Sequence, residues 1–313
     1  MTTLIDCTLR DGGNYNDWNF SLEEINSLIS YSDKIGIEFI ELGYIGGSGS
    51  VKPNKTGPVF DLSESFIENL PEVNHSKYAL MIVPAAIRSQ NSVQSKNTLE
   101  QLKPSKIDMI RVASYAKDID YSLAYLQQIS KHKKKTVFNL MAVSNNSIKE
   151  VIYTAEKARD SGADIFYIAD SFGALSPNEV SQVISQLNQV DGIQIGFHGH
   201  NNLGCALINA IAAMQSGATY IDCSITGLAR GAGNLATEQI IIALNQWPEM
   251  KQFQSGQYDI DTATKAVNYI YNKIIQTPIT LGYRELKSGL LNLHYNSKEL
   301  TQKIEEELNE SMF

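Results

Sequence analysis

Segments with the pattern of buried β-strands alternate with segments that have the pattern of amphipathic helices through about the first 250 residues of this chain. The strand candidates are near-continuous apolar runs, as expected for parallel strands that are buried on both faces. They span residues 3–9, 37–42, 77–83, 106–112, 135–142, 164–169, 193–198 and 219–225. Eight strand–helix units over this length predict a (β/α)8 TIM barrel. An open doubly wound sheet is the alternative, but the regularity of the units favours closure.

The pattern changes after residue 250, where strand candidates give way to helical segments. We predict helices over residues 259–273, 283–293 and 297–308. The sequence therefore predicts a TIM-barrel catalytic domain over residues 1–250 and a C-terminal helical extension over residues 251–313. Such an extension can cover an active site or form an oligomer contact.

Composition narrows the class of protein. The chain has 313 residues, of which 43% are hydrophobic, so it can bury a large core. It has no apolar run of the roughly 18 residues that a membrane span needs, and its first residues enter a strand pattern without the features of a signal peptide. The formal net charge of −8 argues against a nucleic-acid partner. Three cysteines fit a reducing cytoplasm better than a disulfide framework. We expect a cytoplasmic homo-oligomer that acts on small molecules and has no membrane partner.

Two histidines follow the seventh strand candidate, in the sequence Gly-Phe-His-Gly-His-Asn-Asn over residues 196–202. Side chains two residues apart on a strand point to the same side, so His198 and His200 can reach one common point. The alternative is that one histidine caps the next helix while the other packs in the core. For a pair in this position we favour a divalent-metal site.

Polar side chains also stand at the ends of other strand candidates. The active sites of TIM barrels lie at the carboxyl ends of the strands. The residues concerned are Arg10 and Asp11 after the first strand, Glu41 on the second, Arg111 on the fourth, Asn139 on the fifth, Asp170 on the sixth, and Arg230 and Asn234 after the eighth. A single aspartate after a strand often caps a helix, but capping does not explain polar groups at so many strands.

Metal chemistry suggests roles for this set. Asp11 offers an anionic oxygen, His198 and His200 offer neutral nitrogens, and Asn234 offers an amide oxygen. A mixed set of this kind suits a six-coordinate ion with open positions, Mn²⁺ or Mg²⁺ in the first place and Co²⁺ or Zn²⁺ as alternatives. A 2-oxo acid could chelate such an ion through its carboxylate and carbonyl oxygens. Arg10, next to Asp11, could neutralise a developing oxyanion.

A glycine-rich stretch, residues 43–50, follows the second strand candidate. It could form a mobile loop over a ligand, with the backbone amides of Gly46 and Gly47 meeting anionic groups. A flexible loop without that role is an equally good interpretation. The stretch is not a dinucleotide-binding fingerprint, because no helix begins directly after it.

Three motifs together resemble the HMG-CoA lyase-like metal-dependent TIM-barrel superfamily, whose members include 4-hydroxy-2-oxovalerate aldolases and the isopropylmalate and homocitrate synthases. They read DCTLRDG at residues 6–12, HGHNNLG at residues 198–204 and IDCSITGLARGAGN at residues 221–234. The resemblance covers about residues 1–250. It implies a barrel with a divalent cation on Asp11, His198 and His200, and Arg10 as the arginine that stabilises an enolate.

The 4-hydroxy-2-oxovalerate aldolases look most similar, with one departure. Where those enzymes place a histidine base three residues after the metal-binding aspartate, this chain has Asn14. An amide cannot accept a proton at neutral pH, so the base must differ. Candidates are a metal-bound hydroxide, Glu41, Asp170 and Tyr283.

The predicted activity is that of a metal-dependent aldolase, a carbon–carbon lyase. It would cleave a 4-hydroxy-2-oxo acid to a 2-oxo acid and an aldehyde through a pyruvate-type enolate, or run the reverse reaction. Asn14, Arg111 and Asn139 are expected to bind substrate together with Gly46 and Gly47. Amide and guanidinium groups of this kind would suit a polyhydroxylated aldehyde.

Two other functions remain open at this point. Claisen-type acyl transfer from an acyl-CoA to a 2-oxo acid would use the same metal site and would release free CoA. A non-catalytic barrel subunit is favoured by Asn14 alone. Retention of Arg10, Asp11 and both histidines weighs against it.

Overall fold

Eight parallel strands close into a barrel in the computed structural model of this chain, which describes residues 1–48, 56–88 and 106–310. The order around the barrel follows the chain, and the last strand pairs with the first. The strands are β1 Thr3–Asp6, β2 Phe39–Ile45, β3 Lys77–Ile82, β4 Ile107–Ser114, β5 Lys135–Leu140, β6 Ile165–Asp170, β7 Gln194–Gly199 and β8 Tyr220–Cys223. The predicted (β/α)8 TIM barrel is confirmed.

Helices connect the strands and surround the barrel. The described α-helices of the barrel are α1 Leu22–Ile35, α2 Glu64–Glu68, α3 Pro84–Arg88, α4 Ile119–Ile129, α5 Ile148–Asp160, α6 Pro177–Leu187, α7 Ala206–Gln215 and α8 Thr237–Gln246. Those beginning at residues 22, 148 and 177 each start with a capping box, in which a serine and a glutamate satisfy each other's backbone N–H groups. Within the described ranges, none of these helices has the length and apolar character that crossing a bilayer requires.

Three further helices follow the barrel, as predicted for the C-terminal extension: α9 Ile260–Lys273, α10 Tyr283–Leu291 and α11 Lys298–Glu310. Helix α9 packs beside α1 and α8. Its buried residues Ala263, Ala266 and Ile270 belong to the same hydrophobic cluster as the barrel helices. The first part of the extension is therefore integrated into the outer layer of the barrel. The domain boundary at residue 250 stays a prediction.

The interior of the barrel is built in layers, because alternate side chains of each strand point inward. One buried cluster fills the interior with Ile5, Phe39, Ala79, Met109, Val137, Ile165, Tyr167 and Tyr220. Two residues after Phe39, Met109, Val137 and Tyr220 the strands have Glu41, Arg111, Asn139 and Asp222, and His198 stands two residues after Gly196 on β7. This step of two keeps them on the inner side. The apolar cluster thus forms a floor beneath a polar layer at the carboxyl ends of the strands.

Gly196 on β7 makes room for a large side chain in that floor. A Cβ atom at Gly196 would lie 2.2 Å from Cε2 of Tyr167. The same ring is held from another side, since the guanidinium carbon of Arg111 lies 4.4 Å from its centroid. The ring cannot move aside without displacing a buried cation, so this strand position requires glycine.

We therefore expect Gly196→Ala to lower the free energy of unfolding by about 2 kcal/mol, the usual cost of overpacking a core. Gly256→Ala is the matched control, because a Cβ at Gly256 meets nothing within 4 Å. The control should change stability by less than about 0.5 kcal/mol. Urea unfolding followed by circular dichroism measures both, and equal stabilities for the two variants would contradict this packing.

Candidate active site

A cavity of about 580 Å³ opens at the carboxyl ends of the strands. Its wall contains seven residues that were singled out in the sequence: Arg10, Asp11, Asn14, Asn139, His198, His200 and Arg230. The structure thus brings residues from distant parts of the chain to one opening, as the barrel topology requires.

Three of these side chains point their ligand atoms at one another. Asp11 Oδ2 lies 3.6 Å from Nε2 of His198 and 3.6 Å from Nε2 of His200, and the two nitrogens are 3.4 Å apart. Neighbouring ligands of an ion bound at about 2.1 Å are separated by roughly 3.0–3.5 Å. The triangle therefore fits a metal ion with its remaining positions open to the cavity. We call Asp11, His198 and His200 the triad.

The loop after β8 folds back onto β7 and completes the surroundings of the triad. His200 and Asn234 form an antiparallel bridge, and the N–H of Asn201 donates to the carbonyl of Gly233 at 2.8 Å. Gly233 has a φ of 84°, and a Cβ there would lie 2.3 Å from the carbonyl oxygen of Gly227. A glycine is needed for this close approach of two backbone segments.

Asn234 contacts the triad, and its amide nitrogen faces it. Nδ2 of Asn234 donates to Asp11 Oδ2 at 2.7 Å. Its Oδ1 is buried and has no hydrogen-bond partner in the described part of the chain. Such an orphaned oxygen beside a ligand triangle fits a metal site, since half a turn of the amide would present Oδ1 to an ion. Ligation by Asn234 stays a prediction.

The charges around the triad favour the protonation states in which its side chains can bind a metal ion. Burial alone would raise the pKa of Asp11, but the Arg10 guanidinium holds that pKa well below its usual range. Burial, followed by the nearby Arg230, lowers the pKa of His200 well below that of a free imidazole. Asp11 is therefore anionic and His200 neutral at pH 7, as ligation requires.

A buried network of charges lies beneath the triad. Nε of Arg10 donates to Oε2 of Glu41 at 2.7 Å, and Nη1 of Arg10 donates to Oδ1 of Asp11 at 2.8 Å. Arg111 donates to the same Glu41 oxygen at 3.1 Å and to Oδ2 of Asp222 at 2.8 Å. Arg111, Glu41 and Asp222 have side chains that are 0% exposed. Each buried charge thus has a partner of opposite sign.

Asp222 connects this network to the triad. Its Oδ2 lies 3.0 Å from Nδ1 of His198, which leaves Nε2 of that ring as the ligand atom. Burial would raise the pKa of Asp222, but Arg111 and the His198 hydrogen bond hold it at about 2. No role was predicted for Asp222. An acidic residue inside the apolar run of the eighth strand candidate was the signal that could have found it.

Comparison with known proteins agrees with this geometry. A family model described as HMGL-like matches residues 79–270 of the chain. This chain belongs to the HMGL-like family. The predicted superfamily resemblance is confirmed.

Relatives named 4-hydroxy-2-oxovalerate aldolase match most of this HMGL-like chain. The protein from Geobacillus genomosp. 3 is 29% identical over 291 residues, which cover 93% of this chain and 83% of that protein. The protein from Marinomonas sp. (strain MWYL1) is 30% identical over 297 residues, which cover 92% and 84%. These relatives confirm the predicted enzyme class, an aldolase.

Solved structures confirm the fold. The N-terminal domain of a proposed aldolase from Bacteroides vulgatus superposes with a TM-score of 0.78 at 26% identity, covering 96% of each chain. The Bacillus subtilis HMG-CoA lyase superposes with a TM-score of 0.71 at 24% identity, covering 91% of this chain and 97% of that chain. The latter similarity concerns the fold alone.

Three residues predicted to bind substrate are placed elsewhere. Arg111 lies below the cavity because β4 continues to Ser114, whereas the sequence pattern ended this strand at residue 112. Gly46 donates its N–H to Asp61 Oδ1 at 2.7 Å, and Gly47 packs against the ring of Phe60. Neither glycine lines the cavity. Residues 49 and 50 of the predicted loop lie outside the described residues.

The protein groups predicted as candidate bases also lie away from the cavity wall. Glu41 is within β2, which extends to Ile45, and is held by two arginines. The Asp170 carboxylate accepts hydrogen bonds from the backbone N–H groups of Ala174 and Leu175, and burial raises its pKa to about 6. Tyr283 is 48% exposed and donates its hydroxyl hydrogen to Glu307.

Two other parts of the wall were not predicted residue by residue. Trp18 is fully buried and donates its indole N–H to the carbonyl of Arg10 at 2.7 Å, which fixes the backbone of that arginine. It lies in the segment of residues 12–20 that shapes one side of the cavity. His294, from the C-terminal extension, lies on the wall as well. It stands between two helices, where helical periodicity gives no indication of its position.

The position of Asp222 leads to a specific expectation. Asp222→Asn should weaken Mn²⁺ binding by about 10–100-fold, because the neutral amide no longer fixes and polarises the His198 ring. Asp164→Asn is the matched control, since Asp164 accepts the N–H of Thr136 near the amino end of β5, away from the cavity. Isothermal titration calorimetry measures both affinities. Equal Mn²⁺ affinities for Asp222→Asn and the wild type would contradict the assigned role.

Proposed function

We propose that this chain is a divalent-metal-dependent aldolase that interconverts a 4-hydroxy-2-oxo acid with pyruvate and an aldehyde. The observation that carries the proposal is the contact of Arg10 with Asp11 at 2.8 Å inside the cavity that also holds the two histidines. A cation beside a metal triad suits an anion that forms on a substrate oxygen. The names of the relatives support the same chemistry.

The charges of the site support an anionic intermediate. Arg10, Arg111 and Arg230 are positive, and Asp11, Glu41 and Asp222 are negative, so this cluster is neutral while both histidines are neutral. A divalent cation held by the triad would give the cluster a net charge of +2. The enolate of pyruvate carries a carboxylate and an enolate oxygen, which together would neutralise this charge.

Asp11, His198 and His200 are the residues that would hold the metal, for which we propose Mn²⁺ or Mg²⁺. One carboxylate and two imidazoles admit these ions, and Co²⁺ and Zn²⁺ are the alternatives to be compared with them. When bound, the ion would polarise the 2-oxo group of the substrate as a Lewis acid.

Arg10 stabilises the enolate in this mechanism. As the bond between C3 and C4 breaks, its electron pair moves toward the 2-oxo oxygen and the aldehyde is released. The Arg10 guanidinium cannot turn away, because Glu41 and Asp11 hold it at 2.7 and 2.8 Å. A donor fixed before the reaction contributes more than a mobile one, since no reorganisation is needed when charge develops. Protonation of the enolate at C3 then gives pyruvate.

The proton of the 4-hydroxyl group needs a separate acceptor. Asn14 is at the cavity wall, but its Nδ2 donates to the carbonyl of Asp11 at 2.9 Å, and an amide is not a base. Glu41, Asp170 and Tyr283 do not line the cavity. Of the candidates that the sequence offered, this leaves hydroxide, and we propose that this water-derived base takes the proton.

The size of the cavity supports a longer aldehyde than acetaldehyde. About 580 Å³ is the volume of a site for ligands much larger than a five-carbon acid. Polar side chains line it beyond the triad, among them Asn14, Lys117, Asp118, Asn139 and Asn296. These donors and acceptors would bind a hydroxylated chain. The proposed substrate is accordingly a polyhydroxylated 4-hydroxy-2-oxo acid.

Location and assembly are proposals as well. All three cysteines are free thiols, which supports a reducing compartment and hence the cytoplasm. A homo-oligomer stays a prediction. Neither acyl transfer nor a non-catalytic role receives specific support from the site.

Exchange of the methyl protons of pyruvate in D₂O tests the enolate chemistry directly. The wild type should exchange them with Mn²⁺ or Mg²⁺, lose the activity in EDTA, and regain it on adding the ion. Arg10→Lys should slow exchange by about 100-fold or more, because a fixed donor to the enolate oxygen is lost. Arg159→Lys is the matched control, on a surface pair with Asp160. Exchange in EDTA at the full rate would refute the proposal.

A further inference from the structure

His294 is the histidine on the cavity wall that the metal site does not use. The described wall contains three histidines, of which His198 and His200 belong to the triad. His294 stands between α10 and α11, so the C-terminal extension contributes this half-buried side chain, together with Asn296, to a site that is built mainly by the barrel.

Two contacts orient the ring of His294, and backbone hydrogen bonds connect this residue to the next helix. It lies edge-on to Phe172, with ring centroids 6.2 Å apart and an interplanar angle of 85°. The N–H of Asn296 donates to Nδ1 at 3.1 Å, and the N–H of Ser297 donates to the His294 carbonyl at 2.8 Å. Ser297 Oγ accepts the N–H of Leu300 in the first turn of α11. The imidazole is therefore tied to the start of that helix.

The hydrogen bond from Asn296 determines what this imidazole can do. Because Nδ1 accepts a backbone N–H, the proton of the neutral ring is on Nε2. Burial and the nearby Arg230 lower the pKa of His294 to about 4, so the neutral ring predominates at pH 7. A neutral imidazole in this tautomer offers an N–H donor at Nε2. It is not the base that Asn14 fails to provide, since its acceptor nitrogen is occupied.

On the basis of the aldolase function proposed above, we propose that His294 contacts the aldehyde part of the substrate by donating its Nε2–H to an oxygen of that part. The 2-oxo acid part already has its partners in the triad and Arg10. A neutral donor suits a hydroxyl or carbonyl oxygen, which is what the aldehyde part offers. His294 is then a residue of the C-terminal extension that helps to select the aldehyde.

Kinetics in the synthesis direction with pyruvate and glyceraldehyde test this role. His294→Phe keeps an aromatic ring against Phe172 but removes the donor, so the KM for glyceraldehyde should rise about 3–10-fold. The KM for pyruvate and the rate of pyruvate proton exchange should stay within about 2-fold of the wild type, because the enolate site is unchanged. His294→Gln, which can place an amide N–H near the position of Nε2, should restore most of the affinity for glyceraldehyde.

The kinetic outcomes separate this proposal from the aldolase proposal. Three results would each overturn the role of His294. The first is an unchanged KM for glyceraldehyde in His294→Phe, and the second is an equal rise in its KM for pyruvate. The third is a His294→Gln variant that is as impaired as His294→Phe. Absence of pyruvate exchange in the wild type would instead overturn the aldolase function.

The tautomer provides a readout that does not depend on activity. Long-range ¹H–¹⁵N correlation spectra of ¹⁵N-labelled protein at pH 7 should show the His294 ring with Nδ1 unprotonated and Nε2 protonated. The signal is assigned by its absence from the spectrum of His294→Gln. A proton on Nδ1 would contradict the inference whether or not glyceraldehyde is a substrate.

Discussion

The pairing of two buried arginines with the carboxylates of the barrel mouth is the interaction on which the rest of the site depends. An unpaired charge at this depth would cost several kcal/mol, so Arg10 and Arg111 are tolerated only because Glu41 and Asp222 lie between them. The same contacts orient the side chains of the site, since Asp222 fixes the His198 ring and Glu41 holds Arg10 beside Asp11. The stability of the barrel and the proposed function therefore depend on the same hydrogen bonds.

The layering of the barrel explains how such a network can be buried. The inward positions near the amino ends of the strands are apolar, and on several strands the inward position two residues later is polar or charged. The apolar floor and the polar site are therefore consecutive layers of inward-pointing side chains. Tyr167 connects the two layers. Its ring fills the apolar floor in the space left by Gly196, and the guanidinium of Arg111 stacks on the same ring. Substrate thus meets a polar surface supported from below by a rigid core.

Much of this organisation could be predicted from the sequence, and the failures have physical causes. Because side chains alternate along a strand, the sequence predicts that His198 and His200 point the same way, and the predicted barrel brings both of them close to Asp11. Apolar runs do not show where a strand ends, so Arg111 and Glu41 were placed at the rim although β4 and β2 continue beyond them. The position of His294 depends on how the extension packs over the barrel, which no local pattern encodes.

A crystal structure with Mn²⁺ and oxalate, a mimic of the pyruvate enolate, is the most direct test of the metal site and of its position beside Arg10. We expect an anomalous-difference peak at bonding distance from Asp11 Oδ2 and from Nε2 of both His198 and His200. We also expect oxalate to chelate the same ion while one of its oxygens accepts a hydrogen bond from Arg10. No peak at the triad under saturating Mn²⁺, or oxalate bound away from Arg10, would contradict the proposed metal site and the role of Arg10.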